Sequence, residues 1–427
     1  MKEVSAKKLS VKKRKLKNSA EKDVKDENHY ELADFVVRHF RIPNWREYNG
    51  NKYYPKELVA FLTDVIELLR TEKALCHISP PVTIVGDLNG HFQDLVRIFN
   101  IKNEKTLKEE DGKQVFATEK FVFLGDFTGD NQKYNLETVC LLFGLKMLYC
   151  NRYILLRGYE ETRSNTEFRN QIMSKFPGAV GEDIWSKFKT AFSLLPAAAI
   201  VGEKILCVHS GISPLVKRSI GELKEIPKRD VFENLAPIVR DVIFARPCEP
   251  DEDGADSEDP LYIFHEPTNT RKFNDAAIKH FCEKEKIDLV VRSHAVLSNG
   301  FRFSADKKLI TIFSSPSYKD MPNKGAFLRV SQEGVVSIIQ LRPTDKKENP
   351  EDKKKKKKSG ETGKTESAEK EKRSKEKPKK GSRSTVSESK EKGSKEKTEE
   401  GDKKKKKANS KPKSREIESL YDNLSEK

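Results

Sequence analysis

Acidic and imidazole side chains follow several short apolar runs of this chain. Asp87 and Asp126 each come directly after a glycine that ends such a run, and His209 and His294 follow two later runs. Glu160 comes after a fifth run. Carboxylates and imidazoles are the donors with which proteins hold hard or borderline divalent cations. If the five side chains converge in the fold, they form a metal site.

Each of these signals is weak when it is taken alone. A Gly-Asp pair after a strand is more often a turn, and a lone His209 or His294 is more often a structural histidine. Their recurrence after five apolar runs of one chain is harder to explain in this way. The recurrence favours a common site.

The elements that would position this site can be recognised from their patterns. Apolar runs predict strands at 82–87, 121–126, 153–158, 205–211, 289–294, 309–314 and 335–341. Helical patterns lie between them at 57–69, 92–99, 136–148, 183–195 and 275–284. Strands that are apolar throughout are typical of sheets covered by helices. We therefore predict an α/β (α+β) fold, in which ligands collect at the carboxyl ends of the strands.

The order and spacing of these strand ends resemble the motifs of the phosphoprotein phosphatase family of Ser/Thr phosphatases, with the type-one phosphatases as the most similar branch. The matching segments are 86–91, 125–130, 156–161, 208–211 and 291–294. The similarity covers roughly residues 30–341, and outside the motifs it includes 136–142, 195–201 and 314–318.

The resemblance implies both a fold and a reaction. The fold would be of the calcineurin-like metallophosphoesterase type, a central β-sandwich flanked by helices. Two Mn or Fe/Zn-type ions, bridged by one carboxylate, would activate a water for direct attack on phosphoserine or phosphothreonine.

The resemblance places metal ligands at six positions of this sequence: Asp87, Asn89, Asp126, Tyr159, His209 and His294. The family has a His in place of Asn89 and an Asn in place of Tyr159. An amide oxygen is a poorer donor than imidazole for Mn, Fe or Zn, and a neutral phenol is a weak, bulky substitute for an amide. Asp126, His209 and His294 can still hold an ion, so we expect one divalent ion, if any, instead of two.

The catalytic positions differ from the family more strongly. Glu160 stands where the family has its acid His, and Asp130 stands where it has an Asp or a phosphate-binding Arg. An ionised Glu cannot donate a proton, although burial could raise its pKa and rescue it as an acid. The second phosphate-binding Arg falls near Pro267 here, and Arg271 or Arg246 could substitute from nearby.

Two functions follow from these substitutions. Loss of general acid catalysis costs about 10²–10⁴-fold in rate, and loss of one preorganised electrostatic contact costs about 10²–10³-fold. We therefore expect a pseudophosphatase that binds phosphatase regulatory proteins or phosphoproteins. The alternative is an active metal-dependent Ser/Thr phosphatase that hydrolyses phosphoserine or phosphothreonine.

Type-one phosphatases bind regulators in an apolar groove away from their metals. The matching positions of this chain are all apolar: Leu289, Phe303, Val335, Val336 and Ile338. The resemblance therefore predicts a regulator groove at these residues. The alternative is that they are simply core and edge-strand residues.

The charge of the chain lies at its two ends. Its net charge is +16, of which residues 1–20 carry +7 and residues 344–427 carry +11, so that 21–343 is nearly neutral. We predict a basic disordered arm over 1–29, a phosphatase-type domain over 30–343 and a disordered tail rich in Lys, Glu and Ser over 344–427.

The basic arms are open to several interpretations. The tail contains two pure lysine runs, at 353–358 and 403–407. The arms could simply be solubilising, could carry nuclear import signals, or could contact nucleic acid or acidic surfaces without sequence specificity. In a third hypothesis for the function, the arms act as the anchor and the globular unit is their cargo.

Composition also excludes some classes of protein. The sequence contains no apolar run of about 18 residues and no apolar segment near residue 1, so we expect neither a membrane span nor a secretory signal. The six cysteines never occur as Cys-x-x-Cys, and most lie in apolar runs. This pattern is typical of reduced thiols in an intracellular protein. We therefore expect the chain in the nucleus, the cytoplasm or both.

Overall fold

The computed structural model describes residues 30–42, 44–101, 116, 119–163, 166–228, 235–249, 259–265 and 269–343. All of these residues belong to one unit of the chain. The predicted arms, 1–29 and 344–427, lie outside the described residues, and the prediction about them stays a prediction. No described helix combines the length and apolarity that crossing a membrane requires.

The first sheet has six strands, in the order β1-β5-β6-β9-β11-β10. They span Leu75–Ile78 (β1), Ala198–Val201 (β5), Ile205–Val208 (β6), Leu289–Arg292 (β9), Phe301–Ser304 (β10) and Leu309–Ile312 (β11). Strands β6, β9 and β11 are mutually parallel, with Leu206 opposite Val290. Their carboxyl ends therefore meet at one edge of the sheet.

The second sheet has five strands, in the order β13-β12-β2-β3-β4. They span Val82–Val85 (β2), Phe121–Phe123 (β3), Tyr153–Leu155 (β4), Gly325–Val330 (β12) and Val336–Leu341 (β13). Strands β2, β3 and β4 are parallel, with Val122 between Ile84 and Ile154. A short antiparallel pair, Tyr262–His265 (β7) and Thr270–Phe273 (β8), stands apart from both sheets.

The two sheets share an apolar core, because alternate residues of each strand point to opposite faces. Ile84 and Val122 of the second sheet lie in one buried cluster with Cys207 and Val291 of the first. The outer faces are covered by helices: Leu32–Val37 (α1), Pro55–Thr71 (α2), Phe92–Asn100 (α3), Asn135–Leu148 (α4), Thr166–Lys175 (α5), Ala179–Ser193 (α6), Pro237–Phe244 (α7) and Asp275–Glu285 (α8). The predicted β-sandwich flanked by helices is confirmed.

Every strand and helix predicted from the sequence is present, and six of the seven predicted strands end two or three residues earlier than predicted, whereas β13 ends at Leu341 as predicted. Strands β2 and β3 stop at Val85 and Phe123. The residues that follow leave the extended conformation, since Gly125 and Asp126 both have positive φ. The polar side chains that were predicted to end these strands therefore lie in the loops that follow them.

Candidate metal centre

Loops at the carboxyl ends of five parallel strands carry the predicted site residues. Asp87, Asp126 and Glu160 follow β2, β3 and β4, while His209 and His294 follow β6 and β9. All five except His294 are buried. The structure thus brings side chains from both sheets to one end of the sandwich.

Close approach of two loops requires glycine at this end. Gly125 has a φ of +108°, and a Cβ atom there would lie 2.5 Å from the Cα of Gly158. A side chain at Gly158 would in turn meet the backbone nitrogen of Asp126 at 2.5 Å. Both glycines therefore allow the loops after β3 and β4 to pack against each other.

Asp126, His209 and His294 form a cluster with metal-ligand geometry, in which the three ligand atoms lie within 4.8 Å of one another. His209 Nε2 is 3.1 Å from His294 Nδ1 and 3.4 Å from Asp126 Oδ1. His209 Nδ1 lies 2.9 Å from the carbonyl oxygen of Leu124. Donation to that carbonyl fixes the tautomer, so that Nε2 presents its lone pair to the cluster.

The charges of the cluster suit a cation. Burial lowers the pKa of His209 to about 4, so its imidazole is neutral and able to ligate. Burial opposes ionisation of Asp126, but the adjacent His209 and His294 outweigh it and lower the pKa of the carboxyl. For Asp87, burial and then the neighbouring Asp126 carboxylate raise the pKa well above its usual range. One carboxylate and two imidazoles therefore fit a single divalent ion.

The second predicted ion position has lost its imidazole. Asn89 is buried there, and its Nδ2 has no hydrogen-bond partner among the described residues. Asp87 accepts a hydrogen bond of 3.3 Å from the backbone nitrogen of His294. The ligand atoms that remain at this position are all oxygens. They suit a hard cation, and they would bind it less tightly than a site that includes an imidazole.

Tyr159 packs against its neighbours. Its ring lies 5.4 Å from the ring of His294 and 5.5 Å from that of Phe244. The guanidinium of Arg163 lies 5.5 Å from the Tyr159 ring centroid. Tyr159 thus belongs to an aromatic cluster that borders the cation site.

Glu160 and Asp130, the two predicted catalytic positions, are joined by Arg163. Arg163 Nε donates to Glu160 Oε2 at 2.9 Å, and Nη2 donates to Asp130 Oδ1 at 2.8 Å. The sequence interpretation missed Arg163. The signal was available in its spacing, because Arg163 lies three residues after Glu160 and the two can meet within one helical turn.

The environment of Glu160 is mixed. Burial and the nearby Asp126 raise the pKa of its carboxyl to about 7, while Arg163 opposes the shift. For Arg163, the carboxylates of Glu160 and Asp130 outweigh burial and raise the pKa further. The guanidinium is therefore permanently charged, and its Nε and Nη2 atoms both donate to carboxylates.

Glu161 and Arg292 hold the loops in place. The buried Glu161 carboxylate accepts hydrogen bonds from the backbone nitrogens of Asp126, Phe127 and Gly158 at 2.8–2.9 Å. Arg292, 2% exposed, donates to Thr311 Oγ1 and to the carbonyl oxygen of His294, at 3.1 and 3.2 Å. Both residues position ligands without joining the cluster.

The other arginines considered from the sequence do not contact Glu160, and one of them pairs with a different carboxylate. Arg271 Nη1 lies 3.6 Å from the buried Asp241 carboxylate, which also accepts a hydrogen bond from Ser213. Arg246 is exposed. Pro267 lies outside the described residues. The structure therefore places Arg163, and neither Arg271 nor Arg246, against Glu160.

Four of the five predicted regulator-groove residues line one cavity of about 460 Å³: Leu289, Phe303, Val335 and Val336. Val335 is 54% exposed, whereas the others are partly buried against the inter-sheet core. Ile338 packs on that core and is not among the lining residues. We call this cavity the apolar groove.

Comparison with known proteins identifies the class that this fold and site define. A sequence profile of the calcineurin-like phosphoesterases matches residues 80–297, about half of the chain, and the chain belongs to that family, within the phosphoprotein phosphatases. It is 29% identical over 285 residues to the serine/threonine-protein phosphatase PP1-delta of Caenorhabditis elegans, covering 65% of this chain and 84% of that protein.

A solved structure shares the fold. It is a protein serine/threonine phosphatase from Saccharomyces cerevisiae with similarity to human phosphatase PP5, with a TM-score of 0.55 and 20% identity. The match covers 70% of this chain and 93% of that one. The predicted calcineurin-like metallophosphoesterase fold is confirmed.

Proposed function

We propose that this chain is a catalytically impaired Ser/Thr phosphatase, a pseudophosphatase, that acts by binding phosphatase regulators or phosphoproteins. The observation that carries the proposal is the ion-pair network in which Arg163 joins Glu160 to Asp130. It occupies the positions where the resemblance calls for a proton-donating His and for either an Asp or a phosphate-binding Arg.

The network works against phosphate cleavage in two ways. Arg163 favours the ionised form of Glu160, against the effect of burial, and in that form Glu160 cannot protonate a leaving alkoxide. Arg163, already paired with two carboxylates, has little capacity left to neutralise the charge of a phosphate. Either loss alone costs about 10²-fold or more in rate.

The cluster of Asp126, His209 and His294 supports binding of one divalent ion of the Mn or Fe/Zn type. Such an ion, when bound, supplies a Lewis acid to a phosphoryl oxygen. This chain's own groups bind the ion and, through Leu124 and Arg292, fix the orientation of its ligands.

Regulator binding is supported by the apolar groove and by its position. Strands β10 and β13 are edge strands of their sheets, and Phe303 and Val336 of the groove belong to them. An extended peptide can add to an edge strand through its main chain while its side chains fill adjacent apolar pockets. We propose that the protein competes with active relatives for such regulators inside the nucleus or cytoplasm.

A second candidate, an active divergent phosphatase, is favoured by one observation. Burial and Asp126 raise the pKa of Glu160 to about 7, so a fraction of this carboxyl is protonated near neutral pH and could act as an acid. Whether the protonated fraction of Glu160 supports catalysis is tested by measuring the rate of phosphate ester hydrolysis.

The deciding experiment is an assay of the full chain with Mn²⁺ and a small aryl phosphate, beside an active phosphatase of the same family. We expect a rate at least about 10²-fold below the comparator. A comparable rate that is abolished by His209→Ala would overturn the proposal, because turnover would then depend on the cation site.

A further inference from the structure

A groove with a basic rim lies apart from the cation site and the apolar groove. Three cavities of about 400, 420 and 480 Å³ adjoin one another there. The first and second share Ala74 and Lys228, and the second and third share Glu72 and Lys73. We call the three together the basic groove.

Cations outnumber carboxylates along this groove. The cationic side chains that form the rim are Arg70, Lys73, Lys120, Lys224, Lys228 and Arg240. The carboxylates among the described lining residues are Glu72 and Glu225. Glu72 is already paired with the buried Lys146. The rim therefore keeps a net positive charge.

Several rim cations have no carboxylate partner among the described residues. Within the described part of the chain, none of Lys73, Lys224 and Arg240 has a carboxylate at ion-pair distance. Lys228 Nζ donates to the carbonyl oxygen of Leu69 at 2.7 Å. Burial lowers the pKa of Lys228 to about 8, so an anionic group beside it would stabilise its charged form.

The floor of the groove includes apolar side chains. Leu75, Ile78, Ile154 and Ile226 contribute to it, and no Phe, Tyr or Trp is among its described lining residues. Single-stranded nucleic acids are usually bound by stacking on aromatic side chains. A groove that has apolar side chains between basic ones suits an extended peptide better.

We propose that the basic groove binds an acidic peptide segment of a partner protein, in which carboxylates alternate with apolar side chains. The carboxylates meet Lys73, Lys224 and Arg240 on the rim, and the apolar side chains cover the floor. Charge complementarity of this kind steers association and fixes the register of the peptide. The inference goes beyond the proposed function, because no residue of the cation site takes part.

The test uses the full chain and a fluorescein-labelled peptide of six Glu-Leu repeats in 150 mM NaCl. The double variant Lys73→Glu, Lys224→Glu should bind the peptide at least tenfold more weakly. The control, Arg46→Glu with Lys52→Glu, makes the same change in net charge at two exposed positions outside the groove. It should change the dissociation constant less than twofold.

Equal weakening by both double variants, or by neither, would overturn the proposal, since binding would then reflect net charge or the lysine-rich tail. A benzophenone version of the peptide gives an independent readout. It should label tryptic peptides from 70–79 or 224–240, and labelling confined to 344–427 would contradict the assignment. A twelve-nucleotide oligouridine that loses affinity in parallel with the peptide would assign the groove to nucleic acid instead.

Discussion

Arg163 donates from Nε to Glu160 at 2.9 Å and from Nη2 to a second carboxylate, that of Asp130, at 2.8 Å. Glu160 in turn donates its backbone N–H to Asp126 Oδ1 at 2.8 Å. The ion-pair network and the cation cluster are thus one connected structure. A substitution in the network should therefore change how the cluster binds a metal ion. The site can be tested by metal binding as well as by turnover.

The first prediction concerns the number of metal ions. After loading with Mn²⁺ and desalting, elemental analysis should find about one ion per chain, because imidazole ligands remain at one position only. His209→Ala should remove that ion. The measurement is paired with thermal unfolding, since Mn²⁺ at 100 times its dissociation constant stabilises the folded state by about 2.7 kcal/mol.

Asn89→Ala is the matched control for His209→Ala. It changes the position that has lost its imidazole, so the single ion and its stabilisation should remain. Two ions in the wild-type chain, reduced to one by Asn89→Ala, would show that the oxygen donors suffice and would contradict the prediction.

The fold was predictable from the sequence because its strands are buried on both faces. Strand β6, for example, places Cys207 between the sheets and Leu206 under the helices, which makes the whole run apolar. Six of the described strands were not predicted: β1, β5, β7, β8, β10 and β12. In β10, an edge strand, an exposed Arg302 lies beside partly buried phenylalanines. Short edge strands give a weaker pattern than central ones.

The cation cluster was also predictable, since its ligands follow short, largely apolar strands. The Arg163 network was not. Arg163 belongs to no strand-end motif, and whether it meets Glu160 depends on the turn that the chain makes between them. Sequence spacing permits that contact without requiring it, so the comparison of motifs, which considered only Arg271 and Arg246 as nearby arginines, did not identify Arg163.

The second prediction concerns pH. In the folded state the pKa of Glu160 is raised from 4.5 to about 7, so the folded state binds this proton more tightly than the unfolded state does. Its contribution to stability is therefore present below pH 4.5 and is lost as pH rises through 7. With EDTA present, raising the pH from 4.5 to 8 should lower the free energy of unfolding by roughly 1–3 kcal/mol more in wild type than in Glu160→Gln.

Other groups with raised pKa values, such as Glu161, contribute the same slope to both proteins. The difference between the two urea-unfolding series therefore isolates Glu160. Parallel curves from pH 4.5 to 8 would mean that Arg163 keeps Glu160 ionised throughout, which would remove the basis of the active-phosphatase alternative.

The third prediction concerns Glu161. Its replacement by Ala leaves the backbone N–H groups of Asp126, Phe127 and Gly158 without their acceptor. Since each buried backbone N–H left without an acceptor costs about 1–3 kcal/mol, not fully additively, we expect a loss of about 3–5 kcal/mol in urea unfolding. Glu182→Ala, on an exposed helix surface, should cost less than about 1 kcal/mol. Equal costs would show that Glu161 does not hold the loops.

The last prediction concerns the apolar groove. Val335 is 54% exposed at its rim, so Val335→Asp should leave the fold intact while placing a charge where an apolar peptide side chain would bind. Val180→Asp makes the same change at a residue that is 45% exposed on α6, outside the groove. Quantitative mass spectrometry of proteins captured by the full chain should show known phosphatase regulators reduced at least tenfold by the first variant and unchanged by the second. If correctly folded wild type captures no such regulators, the groove residues are only part of the core and of the edge strand, and the binding role must be sought at another surface.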